Sequence, residues 1–298
     1  MAKKTRLRRG DRSDAKLVRG LDAMHVFMPI MLPNRADNEA FIQEQVDLTP
    51  IDEYLKQKNA QNPEHRYTLF HVVLAAMGRT IQMRPRMNRF IIGGRFYERN
   101  DISFSLIAKK AFSDDGDESI VILRYDPTSG KPAIDELKDK LCGFVHSLRE
   151  EDKTDSTTDI LTTLAKFPLF LRRLMVRFLR NRDENHGGLP FGLNDEDPYH
   201  STVFITNLGS IRLRAGYHHL TNWGTNSIFV VVGERRDIPC YNEDGGVTMR
   251  PVLNIGLTLD ERIADGYYYA RTVKLFKQLM QQPELLDVPA KEALDIAY

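Results

Sequence analysis

The 298-residue sequence predicts a mixed α/β domain on three observations. Val203–Thr206, Ser227–Gly233 and Val252–Thr258 are short β-branched, apolar runs, the pattern of strands buried on both faces. Leu69, Val72, Val73, Ala76, Thr80 and Met83 recur at helical spacing until Pro85 stops the run. Strand-like and helix-like segments also intermingle throughout, with no repeat or low-complexity linker, which argues for one domain rather than several.

The remaining elements are read in chain order. Residues 1–23 form a basic arm: Lys3, Lys4, Arg6, Arg8, Arg9, Arg12, Lys16 and Arg19 face only Asp11 and Asp14 in the first twenty residues, which predicts a solvated, flexible tail. Residues 24–298 are read as the single domain. Residues 24–34, MHVFMPIMLPN, look like a strand or extended entry ending at Pro33. A partly alternating strand follows over Phe41–Leu48. A helix then runs over Ile51–Asn59, with Thr49 as its cap and Pro50 in its first turn. RFIIGGRFYE at 89–98 reads as a hairpin turning on Gly93-Gly94. Strands are expected over Ser103–Ala111 and Ile120–Tyr125, an amphipathic helix over Asp135–Arg149, and a closing helix over Gly266–Gln282 before Pro283. The insert at 159–182 combines large apolar side chains with Lys166, Arg172, Arg173, Arg177, Arg180 and Arg182. Such a helix can cover the core with its arginines in water, the favoured expectation, or lie weakly on a membrane surface. Pro168 is expected to break or restart it.

Composition removes several classes of function. Net charge is +1, so nothing global points to nucleic acid, and no nucleic-acid partner is expected. No apolar run reaches the roughly 18–20 residues of a membrane span. The N-terminus lacks a secretory h-region. Cys142 and Cys240 are the only cysteines, which fits a reducing, cytoplasmic setting without a disulfide framework. There is no G-x-S-x-G, Walker loop or CxxC, and no cluster with metal-ligand spacing, so no metal is expected.

Three blocks carry a resemblance. The first is Asp260-Glu261-Arg262-Ile263-Ala264-Asp265-Gly266 with the YYYARTVKLFKQLMQQPELL that follows. The second is Val203-Phe204-Ile205-Thr206-Asn207-Leu208-Gly209, followed by NSIFVVVGE. The third runs over 34–100, from Arg35 through QEQVDLTPIDEYLKQ, TLFHVVLAAMGRTI and RPRMNRF to the hairpin. In this order they resemble the chloramphenicol acetyltransferase-like superfamily, and within it the catalytic domain of the 2-oxoacid dehydrogenase dihydrolipoamide acyltransferases. TNLGSI, YHHL, GTNS and DERIADG look like a subgroup with glutamate in place of the family's catalytic histidine. The resemblance implies a two-layer sandwich, a mixed β-sheet covered by helices. It also implies a homo-oligomer, a trimer by family habit, with sites between subunits. No lipoyl-carrier or subunit-binding module precedes the domain, so a lipoyl carrier or other 2-oxoacid dehydrogenase components would act in trans.

The implied chemistry is acyl transfer between coenzyme A, as acyl-CoA substrate, and a thiol or hydroxyl acceptor. A base removes the acceptor's proton and a hydroxyl steadies the oxyanion. Thr206 matches the hydroxyl position, and a one-residue slip would put Asn207 there. Glu261 stands where the family keeps its histidine. With ordinary pKa values of about 4.3 for Glu, 6.5 for His and 8.5 for a thiol, taking the proton is uphill by roughly 4 units for Glu and 2 for His, about 6 against 3 kcal/mol. Glu261 is therefore a base only in a buried site, where desolvation raises its pKa. His218 and His219 offer a substitute base, of which one at most would normally face the site. His71 reads as a core histidine. By the resemblance, Asp265 braces the site through an ion pair with Arg35, and Gly266 opens the final helix where a side chain would obstruct the site. The alternative reading is a catalytically retired trimeric scaffold or ligand-binding protein, with Glu261 a structural carboxylate.

Overall fold

The computed structural model describes residues 8–61, 66–109, 118–150 and 164–296. In chain order its elements are β1 (Ala15–Leu17), α1 (Ala23–Met31), β2 (Glu39–Asp47), α2 (Thr49–Gln61), α3 (Leu69–Met83), β3 (Arg89–Ile92), β4 (Arg95–Arg99), β5 (Ile102–Lys109) and β6 (Glu118–Tyr125). They continue with α4 (Ala133–Glu150), α5 (Leu169–Asn185), β7 (Val203–Asn207), β8 (Ile228–Tyr241), β9 (Val247–Asp260) and α6 (Gly266–Gln281). Short 3-10 turns join several of them.

The main sheet has the order β2-β9-β8-β7-β5-β6. The pairs β5–β7 and β7–β8 are parallel and the others antiparallel, so the sheet is mixed. Strand periodicity gives each face its role. Val203, Ile205, Ile228, Val230 and Val232 point to one side and join the large core built with α3, α4 and α6. Phe204, Phe229 and Val231 point to the other, where with Leu220 they make a small second cluster under a loop instead of a helix layer. The predicted two-layer α/β sandwich is the observed one.

Local chemistry explains most boundaries. Pro85 follows α3 closely, and His71 inside it is a core residue: burial holds its pKa down at about 4, and its Nδ1 accepts the Thr68 N–H at 3.0 Å. The Gly93-Gly94 turn has both φ values positive, +55° and +70°, as a tight two-residue hairpin demands. Asp265 caps α6 by accepting the Tyr268 N–H at 2.8 Å.

Three expectations are corrected. Residues 24–34 are not a strand: α1 forms because Asp22 caps it, accepting the His25 N–H at 3.1 Å, and Pro29 is carried near its C-terminal end. The basic arm is not loose from residue 8 onward; residues 1–7 lie outside the described residues. β1 pairs with β4, and Arg12 is buried, holding Asp14 at 2.7 Å and Asp183 at 2.7 Å. A cation in a tail is legible as solvated only until its carboxylate partner, 171 positions away, is known. Finally, α5 starts after Pro168, and its only buried residue is Asp183, so its apolar side chains do not cover the core. Residues 159–163 of the insert lie outside the described residues.

Asp183 also meets His200, whose Nε2 lies 2.9 Å from it while Nδ1 lies 3.1 Å from Asp197. Burial disfavours the imidazolium, but the hydrogen bonds and charges of the two carboxylates outweigh it and raise the His200 pKa. Asp183 and Asp14 move the other way: burial opposes their charge, and His200 and Arg12 hold them ionised below the usual range. A raised folded pKa contributes stability that is complete below the unfolded value of about 6.5 and disappears as pH rises through the folded value. His200→Gln is therefore expected to cost most at pH 6 and progressively less at higher pH, as read by denaturant unfolding of both proteins at pH 6, 7.5 and 9.

Candidate active site

The uncovered face of the sheet carries the candidate site. Because side chains alternate along β7, Thr206 points to the same face as Phe204, whereas Asn207 turns away. A cavity of about 310 Å³ opens there, lined by Tyr199, Thr206, His218, His219, Asn226 and Phe229 among others. That volume is enough for a small acyl group and its thioester. Asn207 does not line it; its carbonyl accepts the Ser210 hydroxyl at 2.7 Å. Of the two hydroxyl-position candidates, the structure brings only Thr206 to the cavity.

The loop that roofs this cavity, residues 212–227, lies close on the sheet. A Cβ on Gly256 would collide with the Gly216 carbonyl, so glycine is needed in the middle of β9 for the loop to cross. His218 stacks on Phe229 with ring centroids 4.2 Å apart and planes 7° from parallel. Its Nδ1 lies 3.2 Å from the His219 carbonyl. The His219 Nδ1 lies 3.1 Å from Glu39 Oε2, and Glu39 also accepts the Leu220 N–H. The Glu39 side chain is 4% exposed and that of His219 83%. A carboxylate on Nδ1 fixes the tautomer with the proton there, leaving Nε2 as a bare acceptor. Both histidines line the cavity, one through a stack and the other at its open side. Glu39 escaped the sequence reading because its partner is 180 positions away; the only signal was an acid at the start of an alternating strand.

Glu261 lies elsewhere. It is exposed, in the turn after β9, and its N–H donates to the Asn38 carbonyl at 2.9 Å. Thr206 is in register with Val231, and Val231 with Gly256. Five residues at about 3.3 Å give roughly 16 Å along the strand, and two inter-strand spacings give about 10 Å across, so Glu261 stands on the order of 19 Å from Thr206 within one chain. The burial that a glutamate base needs is absent there.

The predicted Arg35–Asp265 pair is not formed. Arg35 is buried, with Nε 3.6 Å from Asp260 Oδ2, and donates to the carbonyls of Thr221 at 2.6 Å and Ile91 at 3.1 Å. Burial lowers its pKa to about 10, opposed by Asp260 and reinforced by Arg262. Asp265 is exposed and meets Arg86 at 3.5 Å. The correction has a simple cause: Asp260 is wholly buried at the end of the strand beside β2, while Asp265 is occupied at the mouth of α6. Asp260 also accepts Nε and Nη2 of Arg262 at 2.8 and 2.7 Å. Gly266 does open α6, but a Cβ there would meet open space within this chain, so it guards no contact of its own subunit. Among the described residues, no group of three His, Cys, Asp or Glu side chains is placed to hold a metal ion.

Residues 192–288 match the family model for the 2-oxoacid dehydrogenases acyltransferase catalytic domain. They include Thr206, both loop histidines and the DERIADG block. The lipoamide acyltransferase component of the mitochondrial branched-chain alpha-keto acid dehydrogenase complex of Arabidopsis thaliana is 29% identical over 94 residues. That stretch is 32% of this chain and only 19% of the relative. A probable dihydrolipoamide acetyltransferase from Listeria monocytogenes 4b F2365 superposes with a TM-score of 0.54 at 14% identity, over 92% of this chain and 96% of its own. A chloramphenicol acetyltransferase superposes at 0.52 with 12% identity, over 90% and 98%. The fold is chloramphenicol acetyltransferase-like. The resemblance read from the motif blocks therefore holds: in sequence over the C-terminal third, and in fold over almost the whole chain.

Removing the Asp260 carboxylate would strand the buried Arg35 and Arg262 guanidinium groups. Asp260→Ala is expected to cost about 3–5 kcal/mol, whereas Asp265→Ala loses only a cap and an exposed pair, about 1 kcal/mol. Urea unfolding of the two variants beside the parent chain measures the difference.

Proposed function

We propose that this chain transfers an acyl group between coenzyme A and a thiol or hydroxyl acceptor in the cavity between Thr206 and the loop histidines. The observation that carries the reading is that Thr206, His218 and His219 line one cavity while a buried carboxylate, Glu39, holds one of those histidines in the tautomer a base requires. The match of 192–288 to an acyltransferase catalytic domain supports the same reaction class.

The Nε2 of His219 removes the acceptor's proton as its sulfur or oxygen attacks the thioester carbonyl. The resulting oxyanion receives the Thr206 hydroxyl hydrogen bond. Collapse of the tetrahedral intermediate breaks the carbon–sulfur bond, and the departing coenzyme A thiolate takes the proton back from His219. A histidine pays roughly half the proton-transfer cost of a glutamate against a thiol, which favours this arrangement over an exposed Glu261. If Glu261 acts, it acts on the cavity of another copy, since it is too far from its own. A trimer with sites between subunits supplies that geometry, and a lipoyl group carried by another protein is the acceptor the family likeness favours.

The competing reading is a retired trimeric scaffold or ligand-binding protein, favoured by the exposure of Glu261 at the position of the family histidine. Calorimetry with coenzyme A and acetyl-CoA, followed by acetyl transfer to dihydrolipoamide, separates the two. Micromolar binding is expected, with turnover lowered about 10²–10⁴-fold in His219→Gln, less in Glu39→Gln, and little changed in Glu261→Gln. A tenfold or greater loss in Glu261→Gln with His219→Gln unaffected would move the base to Glu261. No binding at millimolar ligand would establish the retired reading.

A further inference from the structure

Helix α5 is an amphipathic helix with an apolar line that the described chain leaves uncovered. Each residue of a helix turns by about 100°, so Phe170, Leu174 and Phe178 form one line, flanked by Leu171, Met175 and Leu179. Phe170, Leu174 and Phe178 are 69%, 62% and 58% exposed, far above what a core-covering face retains. The adjoining side presents Arg172, Arg173, Arg177 and Arg180, which with Val176 line a shallow, open concavity. Among the described residues none of these four arginines forms an ion pair. From Lys166 to Asn185 the chain carries six cations against Asp183 and Glu184, and Asp183 is spent on Arg12 and His200. The whole chain is nearly neutral at +1, so this charge is local to the helix.

We infer that α5 is a docking surface for an anionic lipid membrane, lying in the plane of the interface. The charge and the apolar line must be satisfied together, and this decides the occupant. A second copy meeting α5 across a two-fold axis would set the same arginines against one another, and a neighbour in a three-fold ring would have to bring a different face that is both acidic and apolar. An acidic protein surface would answer the arginines but not a line of aromatic and leucine side chains. A lipid surface answers both, with the phenylalanines entering the acyl boundary and the arginines meeting headgroup phosphates. The exposed apolar side chains of α1, including Phe27 and Ile30, lie near the C-terminal end of the helix: Ile30 approaches Gly94, and the Glu184 carbonyl crowds the adjacent Gly93. Among the described residues no helix is long and apolar enough to cross a membrane, so this contact is peripheral.

The test is flotation of the full chain with phosphatidylcholine vesicles, with and without about one-third phosphatidylserine, at low and high salt. Binding is expected only to the anionic vesicles, weakened at least tenfold by high salt. The quadruple variant R172E/R173E/R177E/R180E should lose about a hundredfold or more in partitioning. The triple variant F170S/L174S/F178S should lose at least tenfold. Unchanged circular dichroism and melting in both would show that folding is intact, as expected for exposed side chains. Absence of binding by the parent chain overturns the inference. So does binding that both variants retain. Equal binding to polyglutamate that survives the triple variant would assign the surface to an acidic protein, and a change of oligomeric state in the variants would assign it to a second copy; either overturns the membrane reading. Coenzyme A binding by the variants is a separate readout, so failure here leaves the acyltransferase reading untouched.

Discussion

A single buried carboxylate organises the candidate site. Asp260 ends β9 with no solvent exposure, and its oxygens are taken by Arg262 and faced by Arg35. The two arginines spend their remaining donors on main-chain carbonyls of separate segments. Arg262 reaches Leu32 and Pro33, just after α1, and Arg35 reaches Ile91 in β3 and Thr221 in the roofing loop. One charge thereby fixes three pieces of chain that share no strand pairing with β9. Burying two guanidinium groups is costly, and the depressed Arg35 pKa records that cost. The arrangement is sustained because nearly every donor has a partner; the Nε of Arg35 alone has charge pairing without a hydrogen bond.

The same constraint places the loop histidines. Glu39 opens β2 directly opposite Asp260 in the ladder, so the carboxylate that holds His219 and Leu220 sits one strand away from the carboxylate that holds Arg35. The loop is thus gripped at adjacent residues, Leu220 by Glu39 and Thr221 by Arg35, while its other end is laid against the sheet at Gly216 and Gly256. A loop pinned at both ends can hold two exposed histidines over a cavity without burying them.

How much of this the sequence carried depends on the range of each interaction. Patterns set by neighbours were legible: the two-glycine hairpin at Gly93-Gly94 and the α3 periodicity ending near Pro85. The family blocks supplied the fold, since they fixed which strands must sit together. Pairings set by distant residues were not legible. Arg12 looked like one more tail cation until Asp183 was brought to it, and Arg35 was matched with the wrong one of two aspartates five positions apart. Residues 24–34 misled for a different reason. A helix whose outer side is apolar, with a proline near its end, has no polar stripe to announce its period, and its cap, Asp22, stands outside the apolar run.

The position of Glu261 bears on how the site can work. Glu261 is exposed and about 19 Å from the Thr206 hydroxyl within one chain, so in the proposed reaction it has no means of taking a thiol proton beside Thr206. Only cover from another copy could both bring it to a cavity and raise its pKa by desolvation. His219 needs no such help to be a base, because its tautomer is set inside the chain by Glu39. Two candidate bases thus make opposite demands on assembly: one works only when subunits meet, the other already stands over the cavity in the single chain. A dilution series that follows turnover and oligomeric state together distinguishes them, because a Glu261 base loses activity in step with dissociation while a His219 base retains it.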